Sequence, residues 1–113
     1  MPYIIPKEKI QISETAYRFQ GKEYDNVPVS FFWVFTLPGK GSVLHVHPYE
    51  EVFVVQQGQA TFIVGDETLE AHGGEIVVAP ANVPHKYTNS GEEPFQMISF
   101  HPNKEVIQTN LEG

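Results

Sequence analysis

The sequence predicts an all-β fold. No stretch repeats its apolar residues with the sustained 3.6-residue period that an amphipathic helix requires. Short segments rich in β-branched and aromatic residues instead follow one another at regular spacing. Nine glycines and nine prolines among the 113 residues supply turns between them. Many short strands joined by such turns indicate a closed or sandwiched β architecture.

The strands can be assigned in chain order. Pro2 and Pro6 disfavour a helix, so an extended N-terminal arm is expected, packing on its own domain or on a second subunit. The first strand is predicted at 16–20, and the aromatic segment 29–37 is predicted to be a central strand. Further strands, separated by Gly/Pro turns, are expected at 60–64, 68–71, 75–79, 85–88 and 95–101. The tail after His101 is expected either to dock on the domain or to form a single helical turn.

Composition excludes several classes of protein. Acidic residues outnumber basic ones 14 to 7, for a net charge of −7, and no basic cluster occurs. Nucleic acid and anionic membrane surfaces are therefore poor partners. The absence of cysteine excludes disulfides and thiolate metal ligands. The N-terminus lacks a signal-peptide pattern, and no apolar run approaches the roughly 20 residues that cross a bilayer, so we expect a single cytoplasmic domain.

One stretch, residues 39–58, concentrates metal-binding side chains. His45 and His47 project from the same face of a strand, because alternate residues share a face. The same alternation brings Glu51 to that face and Glu50 to the other, although a turn after His47 could shift the count. Two imidazoles and a carboxylate are typical ligands of a divalent transition metal. The alternative is a pair of surface histidines, but Glu51 heads an apolar run, and burial without partners would be costly.

A second stretch, residues 74–89, supplies a third histidine, and together the two stretches resemble the two motifs of the cupin family. The first motif, G-x5-H-x-H-x3-E-x6-G, is matched at every fixed position by Gly39, His45, His47, Glu51 and Gly58. The second motif, G-x5-P-x-G-x2-H-x3-N, is matched by Gly74, Pro80, His85 and Asn89, with Asn82 where glycine is usual. Asparagine tolerates a left-handed backbone better than most residues, so Asn82 is expected to keep the turn.

The resemblance implies a double-stranded β-helix, or jelly-roll barrel, with one metal ion inside it. Carried over by position, the metal ligands are the two histidines and the glutamate of the first motif and the histidine of the second: His45, His47, Glu51 and His85. The resemblance also favours Glu51 over Glu50. Residues 1–28 would then form the N-terminal arm and first strand, 29–102 the cupin barrel, and 103–113 the C-terminal tail of one domain.

Three imidazoles and one carboxylate leave one or two coordination positions open, as a catalytic metal requires. These donors suit Fe, Mn, Ni, Cu or Zn. We expect a metal-dependent enzyme acting on a small oxygenated organic molecule, with dioxygenase chemistry first and isomerase, epimerase or lyase chemistry next. The alternative is a non-enzymatic module that binds a small sugar or organic acid. A structural or storage barrel has no need of the four ligands.

Two further side chains are candidates for the pocket. Tyr87 lies two residues after His85, so its phenol should face the same interior, as an acid or hydrogen-bond donor or simply as a packed tyrosine. His101 is expected to be a satisfied structural histidine, and the alternative is that it lines the pocket mouth as a catalytic candidate. Phe53 shares the face of Glu51 and would make the pocket wall apolar.

A homodimer is expected as well. The N-terminal arm and the aromatic segment 31–35 offer more apolar surface than a thin barrel interior can hold. The cupin resemblance implies the same form.

Overall fold

The computed structural model describes residues 2–112. This part of the chain forms two antiparallel sheets. Their strands are β1 (Gln11–Ser13), β2 (Ala16–Gln20), β3 (Ser30–Thr36), β4 (His45–Val46), β5 (Glu51–Gln57), β6 (Gln59–Val64), β7 (Glu67–His72), β8 (Ile76–Ala79), β9 (His85–Asn89), β10 (Phe95–His101) and β11 (Thr109–Asn110). The first sheet has the order β1-β2-β3-β10-β5-β8 and the second β11-β4-β9-β6-β7. The predicted all-β architecture is confirmed.

The core lies between the two sheets. Burial alternates along β6 and β10, so every second side chain points inward, as the pleat of a strand requires. Phe53 of the first sheet meets Phe62 of the second, with ring centroids 5.0 Å apart. Phe95 and Met97 of β10 are also fully buried in this cluster. The apolar contacts hold the sheets together and leave room for polar side chains at one end.

Strand pairing brings the two sequence motifs together. β4 pairs with β9 through His45 and His85, which lie opposite each other. β5 pairs with β10 on one side and with β8 on the other, and Glu51 begins β5 opposite Ala79. The first motif therefore contributes ligands from both sheets, and their side chains converge in the interior.

Turns with a left-handed backbone connect these strands. Gly58, between β5 and β6, has a φ of +92°, and a Cβ there would lie 2.8 Å from the carbonyl oxygen of Pro94. Asn82 has a φ of +63°, so this asparagine does keep the turn that glycine usually makes. Its backbone N–H donates to the carbonyl of His47 at 2.8 Å, which ties the turn before β9 to the end of β4.

The N-terminal arm differs in part from the expectation. Residues Lys7–Ile10 form a 3-10 turn before β1, because the N–H of Lys9 closes back on the carbonyl of Pro6 at 3.0 Å. The Lys7 amino group lies 4.1 Å from the ring centroid of Trp33, a cation–π contact that holds the arm on its own sheet. The described part of the chain contains no helix of the length and apolarity that a bilayer crossing demands.

Up to residue 112, the C-terminal tail docks as a strand and makes no helical turn. β11 pairs with β4, with Asn110 opposite His45. The Glu112 carboxylate accepts hydrogen bonds from the Leu44 N–H at 3.0 Å and from the Lys86 amino group at 3.1 Å. The tail therefore pairs with the strand that carries His45 and leads into His47.

Replacement of Asn82 tests the left-handed turn. Alanine in this conformation places its Cβ against the following carbonyl, whereas glycine has no such clash. We expect Asn82→Ala to be less stable than Asn82→Gly by about 1 kcal/mol, measured by urea unfolding. Equal stability of the two variants would contradict the assignment.

Candidate metal centre

The four predicted metal ligands lie together inside the protein. His45 and His85 face each other across the β4–β9 pair, His47 follows β4, and Glu51 enters from β5. Their exposed fractions are 6%, 2%, 1% and 4% in that order. One ligating atom from each of the four residues lies within 4.8 Å of all the others. Glu50 is exposed, whereas Glu51 points inward.

The Glu51 carboxylate is the point on which the rings converge. Its Oε1 lies 2.8 Å from Nε2 of His85 and 2.9 Å from Nε2 of His47. Nε2 of His45 is 3.7 Å from the same oxygen. The three imidazoles thus present the same nitrogen to one small volume.

The opposite nitrogens fix the tautomer of these rings. Nδ1 of His45 lies 2.7 Å from the Val43 carbonyl oxygen, and Nδ1 of His85 lies 3.0 Å from that of Val83. Nδ1 of His47 lies 2.7 Å from the carbonyl oxygen of residue 107. A carbonyl oxygen can only accept, so each Nδ1 carries the proton and donates. In the neutral rings, every Nε2 lone pair therefore points toward the carboxylate.

Three lone pairs and a carboxylate cannot satisfy one another, because none of them is a donor. A divalent cation among them would satisfy all four at once. The backbone carbonyls behind the rings are the partners that metal-binding histidines commonly have. The residues present therefore fit a divalent transition metal.

The electrostatics of Glu51 agree with this role. Burial raises the pKa of its carboxyl, but hydrogen bonding from histidine, above all from His101, outweighs burial and holds that pKa well below its usual range. Glu51 is therefore an ionised carboxylate, the form that ligates metals.

A fourth histidine, His101, lies behind the carboxylate. Its Nε2 is 3.2 Å from Oε2 of Glu51, and its Nδ1 is 2.7 Å from the hydroxyl of Tyr49. His101 is 1% exposed, so it is buried beside Glu51. Sequence reasoning missed its contact with Glu51, because only the register of β10 against β5 brings the two elements together.

Tyr87 faces the interior, as the alternation in β9 predicts. Its hydroxyl lies 2.8 Å from the Thr36 hydroxyl. Burial raises the pKa of the Tyr87 phenol, and the hydrogen bond with Thr36 opposes this only in part. The phenol therefore stays protonated at neutral pH. Its catalytic role stays a prediction, as does that of His101.

A cavity of about 190 Å³ adjoins the centre. Two of the predicted ligands, His45 and Glu51, form part of its wall. Four of the other lining residues are apolar, and Tyr87 is one of the four neutral polar ones. Phe53 lies in the wall, as its position on the Glu51 face predicts.

Residues 26–101 match the family model of the cupin domain. This match covers more than half of the chain, and the two-sheet fold agrees with it. The chain belongs to the cupin family. The resemblance found in the two sequence motifs and the expected jelly-roll fold are thereby confirmed.

Relatives that share sequence with this chain include a bacterial and a plant protein. An uncharacterized protein of Streptomyces coelicolor is 36% identical over 56 residues, which cover 50% of this chain and 53% of that protein. Auxin-binding protein 4 of Zea mays is 36% identical over 77 residues, covering 58% of this chain and 38% of that protein. The matched regions thus span about half of each relative or less.

Solved structures show the same fold. An oxalate decarboxylase of Lactobacillus farciminis, in complex with formate, superposes with a TM-score of 0.80 at 24% identity, over 89% of this chain and 32% of that one. The Bacillus subtilis oxalate decarboxylase, which has Mn(II) centres, gives a TM-score of 0.80 at 21% identity, over 88% and 29%. At these identities the likeness concerns the fold alone.

Removal of single ligands tests the metal centre. We expect His47→Ala and Glu51→Gln to lose a stoichiometric first-row metal after reconstitution, because each removes one of four converging donors. Elemental analysis of dialysed protein measures the loss. Glu50→Gln is the matched control, since this neighbouring carboxylate is exposed, and it should retain the metal. Full metal content in Glu51→Gln would contradict the assignment.

Proposed function

We propose that the protein is a metal-dependent enzyme acting on a small oxygenated organic molecule. One observation carries the proposal: His45 and Glu51 are at once predicted ligands and part of the cavity wall. A molecule in that cavity would lie beside the metal, where an open coordination position accepts an oxygen donor. An ion with a purely structural role would be closed off by protein ligands on every side.

Dioxygenase chemistry is the first candidate within this class. When bound, a first-row metal such as Fe, Mn, Ni or Cu would supply Lewis acidity and a site for O2, whereas Zn would supply Lewis acidity alone. Insertion of both oxygen atoms into the substrate needs no external reductant. The apolar wall around Phe53 and Met97 supports this choice, because excluding water protects reactive species. Isomerase, epimerase or lyase chemistry, which needs Lewis acidity alone, is the next candidate.

The chain's own residues would hold and orient the substrate. Tyr87 would donate its phenolic proton to a bound oxygen atom, with Thr36 fixing the direction of the hydroxyl. Phe53 would pack against the body of the substrate, and the backbone carbonyls behind the histidines would hold the metal-binding rings in place. Mn(II) in the Bacillus subtilis neighbour makes manganese one candidate among the metals.

The second candidate is a non-enzymatic module that binds a small sugar or organic acid. The Zea mays relative, auxin-binding protein 4, supports this possibility for a related chain. A homodimer and a cytoplasmic location stay proposals for this protein.

An oxygen-uptake screen separates the two candidates. Protein purified without a metal-binding tag is loaded separately with Fe(II), Mn(II) and Ni(II) and offered catechols, β-diketones and enediols. The enzyme hypothesis predicts oxygen consumption with a product, lost in His47→Ala. Ligand-induced thermal stabilisation without product formation in any arm would instead establish the binding module. Failure to retain any stoichiometric metal would overturn the enzyme hypothesis.

A further inference from the structure

The wall of the cavity carries no positive charge. The cavity is lined by no lysine or arginine within residues 2–112. Its polar members besides the ligands are neutral: Ser42, Tyr87, Ser99 and Gln108. The apolar members include Phe32, Phe53 and Met97. Within this wall, the metal centre is therefore the group that can balance the charge of a ligand.

The metal centre can balance one negative charge. A divalent cation contributes two positive charges and the Glu51 carboxylate contributes one negative charge, so the centre has a net charge of +1. A ligand with one negative charge makes the whole site neutral. A dianion would leave one negative charge unpaired in an apolar cavity, which is strongly unfavourable.

The size of the cavity restricts the ligand further. Its volume of about 190 Å³ is below the roughly 300–1,000 Å³ of sites for drug-sized molecules. The rings of Phe32 and Phe53 offer flat apolar surface, which favours contact with another ring. A single ring with adjacent oxygen atoms fills such a space and still reaches the metal.

We propose that the site accepts a single-ring oxygen chelator with at most one negative charge and discriminates against small dicarboxylates. This inference rests on the metal site of the proposed function and narrows its substrate class. It also separates this chain from its oxalate decarboxylase neighbours, whose fold it shares.

Tropolone and oxalate test the inference, because both chelate through two oxygens but carry one and two negative charges. The Co(II)-loaded protein is titrated with each, and affinities are compared with those of aqueous Co(II). We expect the ratio of tropolone affinity to oxalate affinity to be about tenfold or more higher for the Co(II)-loaded protein than for aqueous Co(II). An unchanged ratio, or a shift toward oxalate, would overturn the inference. Absence of bound Co(II) would instead show that the proposed metal centre itself is wrong.

Gln108 offers a matched variant for the same experiment, because it lines the cavity and is exposed. Gln108→Arg adds a positive charge at this wall and should raise oxalate affinity about tenfold, with little effect on tropolone. Gln108→Met is the neutral control and should bind both probes like the unmodified protein. No gain of oxalate affinity in Gln108→Arg would count against the charge argument.

A second, independent observation concerns the proton on His101. The Tyr49 oxygen accepts the backbone N–H of Ile107 at 3.1 Å, and His101 Nδ1 lies 2.7 Å from it. If Tyr49 donates its own proton to Nδ1, then the His101 proton must sit on Nε2. The opposite tautomer would leave the Tyr49 proton without an acceptor and aim a lone pair at a carboxylate.

Nε2 of His101 is the one buried side-chain nitrogen or oxygen that lacks a well-aligned hydrogen-bond partner in residues 2–112. Oxygen Oε2 of Glu51 lies 3.2 Å from it, whereas the other three rings face Oε1 or lie nearest to it. His101 therefore has the tautomer opposite to that of the three ligand rings. It can donate to the carboxylate but has no lone pair there for a metal.

We infer that His101, oriented by Tyr49, is a positioning residue that anchors the free oxygen of Glu51. Partners of this kind hold a carboxylate ligand in one orientation, and their loss commonly costs 10- to 100-fold in metal affinity. His101 would then act through Glu51 and make no contact with the metal.

Competition with a chelator measures the effect on Co(II) affinity, and the visible spectrum of bound Co(II) reports its geometry. We expect His101→Phe to weaken Co(II) binding by about 10- to 100-fold with an altered spectrum, and His101→Gln to recover part of the loss through its amide N–H. Tyr49→Phe should weaken binding less but in the same direction. His72→Gln, at an exposed histidine, is the control and should match the unmodified protein.

Two results would overturn this role. Unchanged Co(II) affinity and spectrum in a folded His101→Phe variant would show that His101 only packs the interior. Complete loss of metal in His101→Phe and in His101→Gln, with no effect of Tyr49→Phe, would show that His101 is itself a ligand. Urea unfolding of each apo variant verifies that it is folded before titration.

Discussion

The structure of the centre depends on three hydrogen bonds from histidine Nδ1 atoms to backbone carbonyls. Each bond turns one ring so that its remaining nitrogen faces Glu51. Two of the carbonyls lie two residues before the histidine that they bind, so the local strand geometry positions them. The third comes from residue 107, far along the chain. Local backbone and long-range docking together therefore determine which atoms a metal meets.

Much of this arrangement could be predicted from the sequence. The alternation of His45 and His47 places both on one face, and the same count prefers Glu51 to Glu50. His85 entered through the cupin motif, because spacing alone cannot reveal that β9 lies beside β4. The left-handed backbone at Asn82 was also predictable, because Asn82 stands where the cupin motif has glycine and asparagine tolerates this conformation better than most residues.

Other features depend on contacts that no local pattern reveals. His101 meets Glu51 only through the register of β10 against β5. β11 has two residues, too few for a periodic signal, and it forms because β4 offers an edge for pairing. The 3-10 turn at Lys7–Ile10 replaces part of the expected extended arm because a single backbone hydrogen bond suffices to close it.

The docking of the C-terminal tail has a thermodynamic consequence. Because the carbonyl of Ile107 holds His47, any cation that binds the centre also stabilises the docked tail. By linkage, a tail that detaches lowers the affinity of the centre by the same free energy. The tail is thus coupled to the occupancy of the interior, and its exchange of amide hydrogens would differ between the metal-free and metal-loaded protein.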